Sequence, residues 1–246
     1  MAHYKVTVSY DGTRFCGFQR QSEERTVQGV IESALKKIGW PGTSILAAGR
    51  TDSGVHALGQ VISFDLDWVH SVVDLQFALN ANLPPDVATS SVKLAGADFH
   101  PRFDAHGRCY RYRLYTSSVR EPLKDRYAWR VWPGVDLSSM QIAAGHLPGA
   151  HDFSAFGTPP NAGGSTQRCV SRAEWSVDGI DLVFEITANA FLYHMVRRLV
   201  SFQVQIGQGK LAPGAVSEAL DGGSKELVRG LAPPQGLVLV EVIYEA

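Results

Sequence analysis

Gly49-Arg50-Thr51-Asp52-Ser53-Gly54-Val55-His56-Ala57-Leu58-Gly59-Gln60 is the stretch from which the rest of this chain is read. Its three glycines frame one carboxylate, one guanidinium, two hydroxyls and one imidazole. Glycine permits left-handed backbone angles and close approach of another backbone or a ligand. Apolar Ile45-Leu46-Ala47-Ala48 precedes the stretch, and alternating Val61-Ile62-Ser63-Phe64-Asp65-Leu66 follows it. The polar cluster is therefore expected on a loop between two strands, where a rigid scaffold presents reactive groups. With Arg50 two residues away, Asp52 is expected to be ionised at neutral pH, as a nucleophile or an anchor rather than a proton donor. The simpler reading is that Asp52 only accepts bonds from N–H groups of its own turn, as aspartate does in many glycine-rich turns.

Outward from this loop, the chain alternates strand and helix. Tyr4-Lys5-Val6-Thr7-Val8-Ser9-Tyr10 has the two-residue period of a strand and stops at the turn signal Asp11-Gly12. A basic loop, residues 13–21, follows. Thr26 is the expected N-cap of a helix with Val27, Val30, Ile31, Ala34, Leu35 and Ile38 on one face, closed by Gly39. After the strand at 60–68 come a helix at 71–82 and a strand at 87–94. The second half brings a strand at 109–116, a helix at 138–147 and a hairpin of 168–176 with 181–187 around Asp178-Gly179. A long buried helix at 189–205, a short helix at 215–220 and a closing strand at 237–244 complete it. The expectation is an α+β protein of two similar halves, 1–98 and 99–246. Their antiparallel sheets would join into one extended sheet with helices on one side and a cleft between the halves.

Composition narrows the class. The 246 residues are 45% hydrophobic and 19% charged, enough for a sizeable soluble core. No apolar run approaches the ~20 residues of a membrane span. The start, Met1-Ala2-His3-Tyr4-Lys5, lacks the regions of a signal peptide, so a cytoplasmic location is expected. Cys16, Cys109 and Cys169 are far apart, with no zinc-like spacing, and reduced thiols without a metal are expected. The formal net charge is −1, yet residues 100–130 hold eight Lys or Arg against three acids, a local +5, interleaved with Tyr110, Tyr112, Tyr115, Tyr127 and Trp129. Cations among stacking aromatics are the footprint of an RNA surface; a merely solvated basic face is the alternative.

The loop Gly49-Arg50-Thr51-Asp52-Ser53-Gly54-Val55-His56 resembles the catalytic loop of the tRNA pseudouridine synthase A family, whose signature runs Gly-Arg-Thr-Asp-[Ala/Ser]-Gly-Val-His. The resemblance extends through Tyr10-Asp11-Gly12, Phe18-Gln19-Arg20-Gln21, Asn80-Ala81-Asn82-Leu83-Pro84, Asp152-Phe153-Ser154, Asn189-Ala190-Phe191-Leu192-Tyr193-His194-Met195-Val196-Arg197 and Ala232-Pro233-Pro234-Gln235-Gly236-Leu237, in the family's order. It departs at Phe18 (Trp is usual), Ser53 (Ala is common), Cys109 (a basic residue is usual) and Val238 (Tyr is frequent).

What the resemblance implies is isomerisation of uridine to pseudouridine in the anticodon stem-loop of tRNA, at positions 38, 39 and 40, without a cofactor and by a homodimer. Asp52 matches the family's aspartate nucleophile, attacking either uracil C6 or ribose C1′. Tyr110, in Cys109-Tyr110-Arg111-Tyr112-Arg113, matches the tyrosine at the substrate base, to stack on uracil or help remove the C5 proton; a core tyrosine is the structural alternative. Arg197 is the third catalytic candidate. Asn189, Tyr193 and Arg197 are spaced to share a helix face, and Arg197 is expected to pair with Asp52. Arg50, Arg14, Arg20, Gln21, His56 and Arg111 are the candidates for holding RNA, His56 also for orienting the loop.

Two other classes compete. Asp52-Ser53-Gly54 matches the core of aspartic proteases, but those need two such aspartates sharing a proton, and this chain has one copy with Arg50 nearby. A non-catalytic RNA-binding module would keep every activity when Asp52 is replaced.

Overall fold

The computed structural model describes residues 1–222 and 227–244. The chain divides into two compact units, Met1–His106 with Val238–Ala246, and Gly107–Leu237.

In the first unit the alternating N-terminal segment forms β1 (Ala2–Tyr10), with Tyr4, Val6, Val8 and Tyr10 buried and the residues between them half-exposed. Thr26 Oγ1 accepts from the Gly29 N–H and caps α1 (Val27–Lys37), whose Val27, Ile31, Ala34 and Leu35 are buried. Lys36 and Lys37 occupy its last turn, where cations meet the negative end of the helix dipole. Next come β2 (Leu46–Ala47) and β3 (His56–Leu66). Ser71 and Asp74 close a reciprocal capping box at the start of α2 (Val72–Asn82), and β4 (Val87–Leu94) follows. β1 lies between β3 and β4, antiparallel to both, and β2 pairs with β3. The last strand, β10 (Leu237–Ile243), runs parallel to β3, Val238 opposite His56 and Leu239 opposite Ala57. The closing strand of the sequence reading is thus present, with its partner in the unit that begins the chain. Pairing over so long a separation leaves no local signal.

In the second unit, β5 (Gly107–Thr116) carries β6 (Trp129–Val131) parallel to its end. α3 (Leu137–Ala144), β7 (Gly149–Asp152), β8 (Gln167–Asp178) and β9 (Asp181–Ala188) follow, then α4 (Met195–Gly207) and α5 (Ala215–Leu220). The strands order as β5-β9-β8-β7, each pair antiparallel. Strand alternation divides the two faces of this sheet. Buried Tyr112, Phe184 and Trp175 lie opposite one another on one face. There the Trp175 Nε1–H donates to Gln203 Oε1 of α4 at 2.8 Å. The other face is ionic: Arg111 meets Glu185 at 2.7 Å, and Arg113 meets Asp178 and Asp181 at 2.8 and 3.0 Å.

One helix starts later than its pattern predicts. Residues 189–194 are not helical, and α4 begins at Met195 after His194, whose φ of 65° is left-handed. Asn189 Oδ1 accepts from the N–H groups of Cys169 and Ala190, which ends β9 in a turn. Asn189, Tyr193 and Arg197 therefore do not share a helix face. The apolar residues between them pack in a turn that has no periodic signature of its own.

Candidate active site

The Asp52 loop is anchored on both sides of the carboxylate. The Ala48 N–H donates to the Val61 carbonyl at 2.8 Å, and buried Gln60 donates through Nε2 to the Gly49 carbonyl at 3.1 Å. Thr51 accepts the Phe18 N–H at its carbonyl, 3.0 Å, and its Oγ1 is hydrogen-bonded to the Tyr10 hydroxyl at 2.8 Å. Beyond Asp52, the Ser53 hydroxyl and the Gly54 N–H both donate to the Phe15 carbonyl, at 3.1 and 3.3 Å. Buried His56 accepts the Gly12 N–H at Nδ1, 3.0 Å, with Asp11 Oδ1 at 3.2 Å from the same nitrogen. Asp52 is half-buried between these ties and Arg50 is exposed.

The segment before α1 is thus the cradle of the loop. Gly12 and Gly17 make the contact possible. A Cβ on Gly12 would stand 2.0 Å from the Val55 carbonyl oxygen, and one on Gly17, whose φ is +91°, would stand 3.1 Å from the Thr51 carbonyl oxygen. Phe18 is buried against Tyr10, ring centroids 6.3 Å apart, so this departure from the family pattern lies in the core. Arg20 meets buried Glu32 at 2.5 Å and the Thr43 carbonyl at 2.9 Å, while Gln21 donates to the Cys16 carbonyl at 2.9 Å. Arg14 is exposed.

In the second unit, Tyr110 sits half-buried on β5 with its ring edge-on to Phe191, 5.0 Å between centroids. Arg197 is buried on the first turn of α4. Its Nε donates to the Ala232 carbonyl at 2.7 Å, and its own carbonyl accepts the Ala232 N–H at 3.1 Å. The neighbouring Pro233 carbonyl accepts the Tyr112 hydroxyl at 2.8 Å. Burial pushes the Tyr112 phenol well above its ordinary pKa, opposed by the Arg197 charge. Residues 232–236 therefore act as a strap across Tyr112 and Arg197. Arg111 gives both Nε and an Nη to Glu185 Oε1, at 2.9 and 2.7 Å.

The basic stretch of the sequence is largely spoken for inside its own unit. Besides Arg111 and Arg113, Lys124 meets Asp181 at 2.6 Å and Arg120 meets Asp125 at 3.2 Å. Arg108 and Arg130 donate to the carbonyls of Asn189 and Ser117. Of the interleaved aromatics, Tyr112 and Tyr115 are fully buried and Tyr127 is exposed. Asp178, Asp181 and Glu185 lie outside residues 100–130, so a local charge count misses them. Sequence reasoning also passed over Tyr10 as a partner of Thr51, Gln60 as the anchor of Gly49 and Phe191 as the neighbour of Tyr110. Their only signal was membership in the quoted motifs. Among the described residues no group of His, Cys, Asp and Glu could hold a metal ion, and no helix is long and apolar enough to cross a membrane.

Comparison with known proteins bears on this arrangement. A family profile described as tRNA pseudouridine synthase matches residues 6–104 and 143–245. Asp52 and Arg197 lie within the match and Tyr110 outside it. A protein of Limosilactobacillus fermentum named tRNA pseudouridine synthase A is 40% identical over 251 residues, covering 100% of this chain and 97% of its own. Proteins of the same name from Geobacillus kaustophilus and Myxococcus xanthus are 41% and 39% identical, covering 98% and 99% of this chain and 94% and 92% of theirs.

Proposed function

This chain belongs to the tRNA pseudouridine synthase family, and from that premise we propose how its own residues perform the isomerisation of uridine to pseudouridine in tRNA. The reaction balances without a co-substrate. The C1′–N1 bond breaks, C1′–C5 forms, the C5 hydrogen leaves as a proton and N1 gains one. The enzyme is an isomerase.

Asp52 is the nucleophile, adding to uracil C6 or to ribose C1′, and covalent attachment divides one difficult step into easier ones. The observation that carries this role is the doubly anchored loop, with Thr51 tied on one side of Asp52 and Ser53 and Gly54 on the other. A carboxylate held this way enters the reaction already oriented, which removes much of the entropic barrier. Tyr110 stacks on the uracil or receives the C5 proton through its hydroxyl, and its edge-on contact with Phe191 supports a fixed ring. Arg197 is the counter-charge for Asp52. Its anchorage at Ala232 leaves less side-chain freedom to lose when it acts.

The substrate region is the anticodon stem-loop, the enzyme works as a homodimer in the cytoplasm, and exposed Arg50 meets the phosphates around the target nucleotide. These assignments rest on the family and on the exposure of Arg50.

Release of tritium from tRNA transcripts labelled at uridine C5 tests the reading, with wild type set against Asp52→Asn. Label release by wild type alone, with tRNA bound by both, is the expected result. Equal release by both removes Asp52 from the mechanism. No release by either, with binding kept, makes the chain a binding module.

A further inference from the structure

Thr51 is held at two ends of one Cα. Its carbonyl is fixed by the Phe18 N–H and its side chain by the Tyr10 hydroxyl. Tying the carbonyl and the Cβ branch together fixes ψ of Thr51, the rotation that aims the next residue. That next residue is Asp52. Both partners of the side-chain bond are buried, Tyr10 at 4% and Thr51 at 7% relative exposure, so water does not compete for it.

The tie also differs in kind from its neighbours. Ser53 and Gly54 bind the Phe15 carbonyl, and the Thr51 carbonyl binds Phe18, all on the loop before α1. The Tyr10 hydroxyl comes instead from β1, a strand hydrogen-bonded to a neighbour on both edges. Its ring already fills the core beside Phe18, a task a phenylalanine would perform equally well. The hydroxyl is what packing leaves unexplained.

We infer that Tyr10 is a positioning residue for Asp52, acting through Thr51 and governing turnover rather than tRNA affinity. The inference deepens the proposed role of Asp52 and rests on it. Without the Tyr10 hydroxyl, Thr51 regains rotation about ψ and the carboxylate samples poses outside the attacking one.

The experiment measures kcat and KM for tritium release, tRNA binding and Tm in Tyr10→Phe, Thr51→Val, Thr51→Ser and the double variant Tyr10→Phe/Thr51→Val. Tyr10→Phe and Thr51→Val are expected to lower kcat roughly ten-fold, with KM within about two-fold of wild type. Thr51→Ser, which keeps the hydroxyl, recovers most of the turnover. The double variant is no slower than the worse single one, because both remove the same bond. Additive losses, a change confined to KM, or Thr51→Ser as slow as Thr51→Val would each overturn the inference. Should Tyr10→Phe fail to fold, the Thr51→Val and Thr51→Ser pair decides. An inactive Asp52→Asn beside a fully active Tyr10→Phe refutes the Tyr10 assignment alone, whereas an active Asp52→Asn refutes the reading beneath it.

Discussion

Replacing Gly12 with alanine inserts a methyl group between the segment that precedes α1 and the Asp52 loop. The added Cβ would lie 2.0 Å from the Val55 oxygen, 2.5 Å from its carbonyl carbon and 3.0 Å from its nitrogen, and ordinary contact begins near 3.4 Å. All three atoms are backbone, so no rotamer relieves the clash, and the chain at Val55 must retreat by about 1.4 Å. Val55 donates its N–H to the Asp52 carbonyl, so the displacement reaches the carboxylate in one hydrogen bond. A misplacement of ~1 Å at a reacting group costs on the order of 100-fold in rate, or about 2.7 kcal/mol. Overpacking adds about 1–3 kcal/mol of lost stability, a Tm lower by roughly 2–12 °C for a chain of this size. Tritium release from C5-labelled tRNA reads the first effect and a thermal melt the second. Gly49→Ala is the matched control in the same loop. Its Cβ would meet nothing within 4 Å, and activity within about two-fold of wild type is expected. A Gly12→Ala enzyme with wild-type kcat, or two alanine variants equally impaired, would refute the reasoning.

Two further perturbations address the supports of the site. Tyr112→Phe removes the hydroxyl from the Pro233 carbonyl and should lower stability by about 1 kcal/mol at neutral pH. Because burial raises the folded phenol above its unfolded value near 10, the stability Tyr112 contributes is intact below that pH and is lost as pH rises through the folded pKa. The gap between wild type and Tyr112→Phe in denaturant melts should therefore shrink above about pH 10, and a widening gap would show the sign to be wrong. Glu32→Ala strips one buried acceptor from Arg20, Gln28 and the Ile45 N–H. A loss of about 2–4 kcal/mol in urea melts is expected, and an unchanged midpoint would mean that this buried network contributes nothing.

Local signals carried most of the secondary structure, whereas the three catalytic candidates were named through the family resemblance of the segments that hold them. Thr26 caps its helix where its hydroxyl leads one to look, because a cap needs only residues three positions apart. Alternation found β1, β3, β5 and the β8–β9 hairpin for the same reason: two-residue periodicity is a property of the strand itself. What stayed hidden depends on partners distant in the chain. The cations of residues 100–130 read as a free surface until Asp178, Asp181 and Glu185 were placed beside them. The pairing of Arg20 with Glu32 was hidden likewise, because Glu32, although only twelve residues away, is a helical position whose burial no pattern reveals. Residues 189–194 are apolar enough to pass for helix, and only the tertiary bonds of Asn189 and the left-handed backbone of His194 separate that turn from α4.

The parallel pairing of β10 with β3 makes the order of synthesis matter. A ribosome delivers β1 to β4 early, yet the edge of β3 at His56 and Ala57 waits for Val238 and Leu239. Between them lies the whole of the Gly107–Leu237 unit. At about 5–20 residues per second this leaves the edge open for on the order of ten seconds, as the kind of unpaired strand that invites a second chain. The Asp52 loop leads directly into that edge, so the strand that follows the proposed nucleophile is also the one whose pairing is finished last.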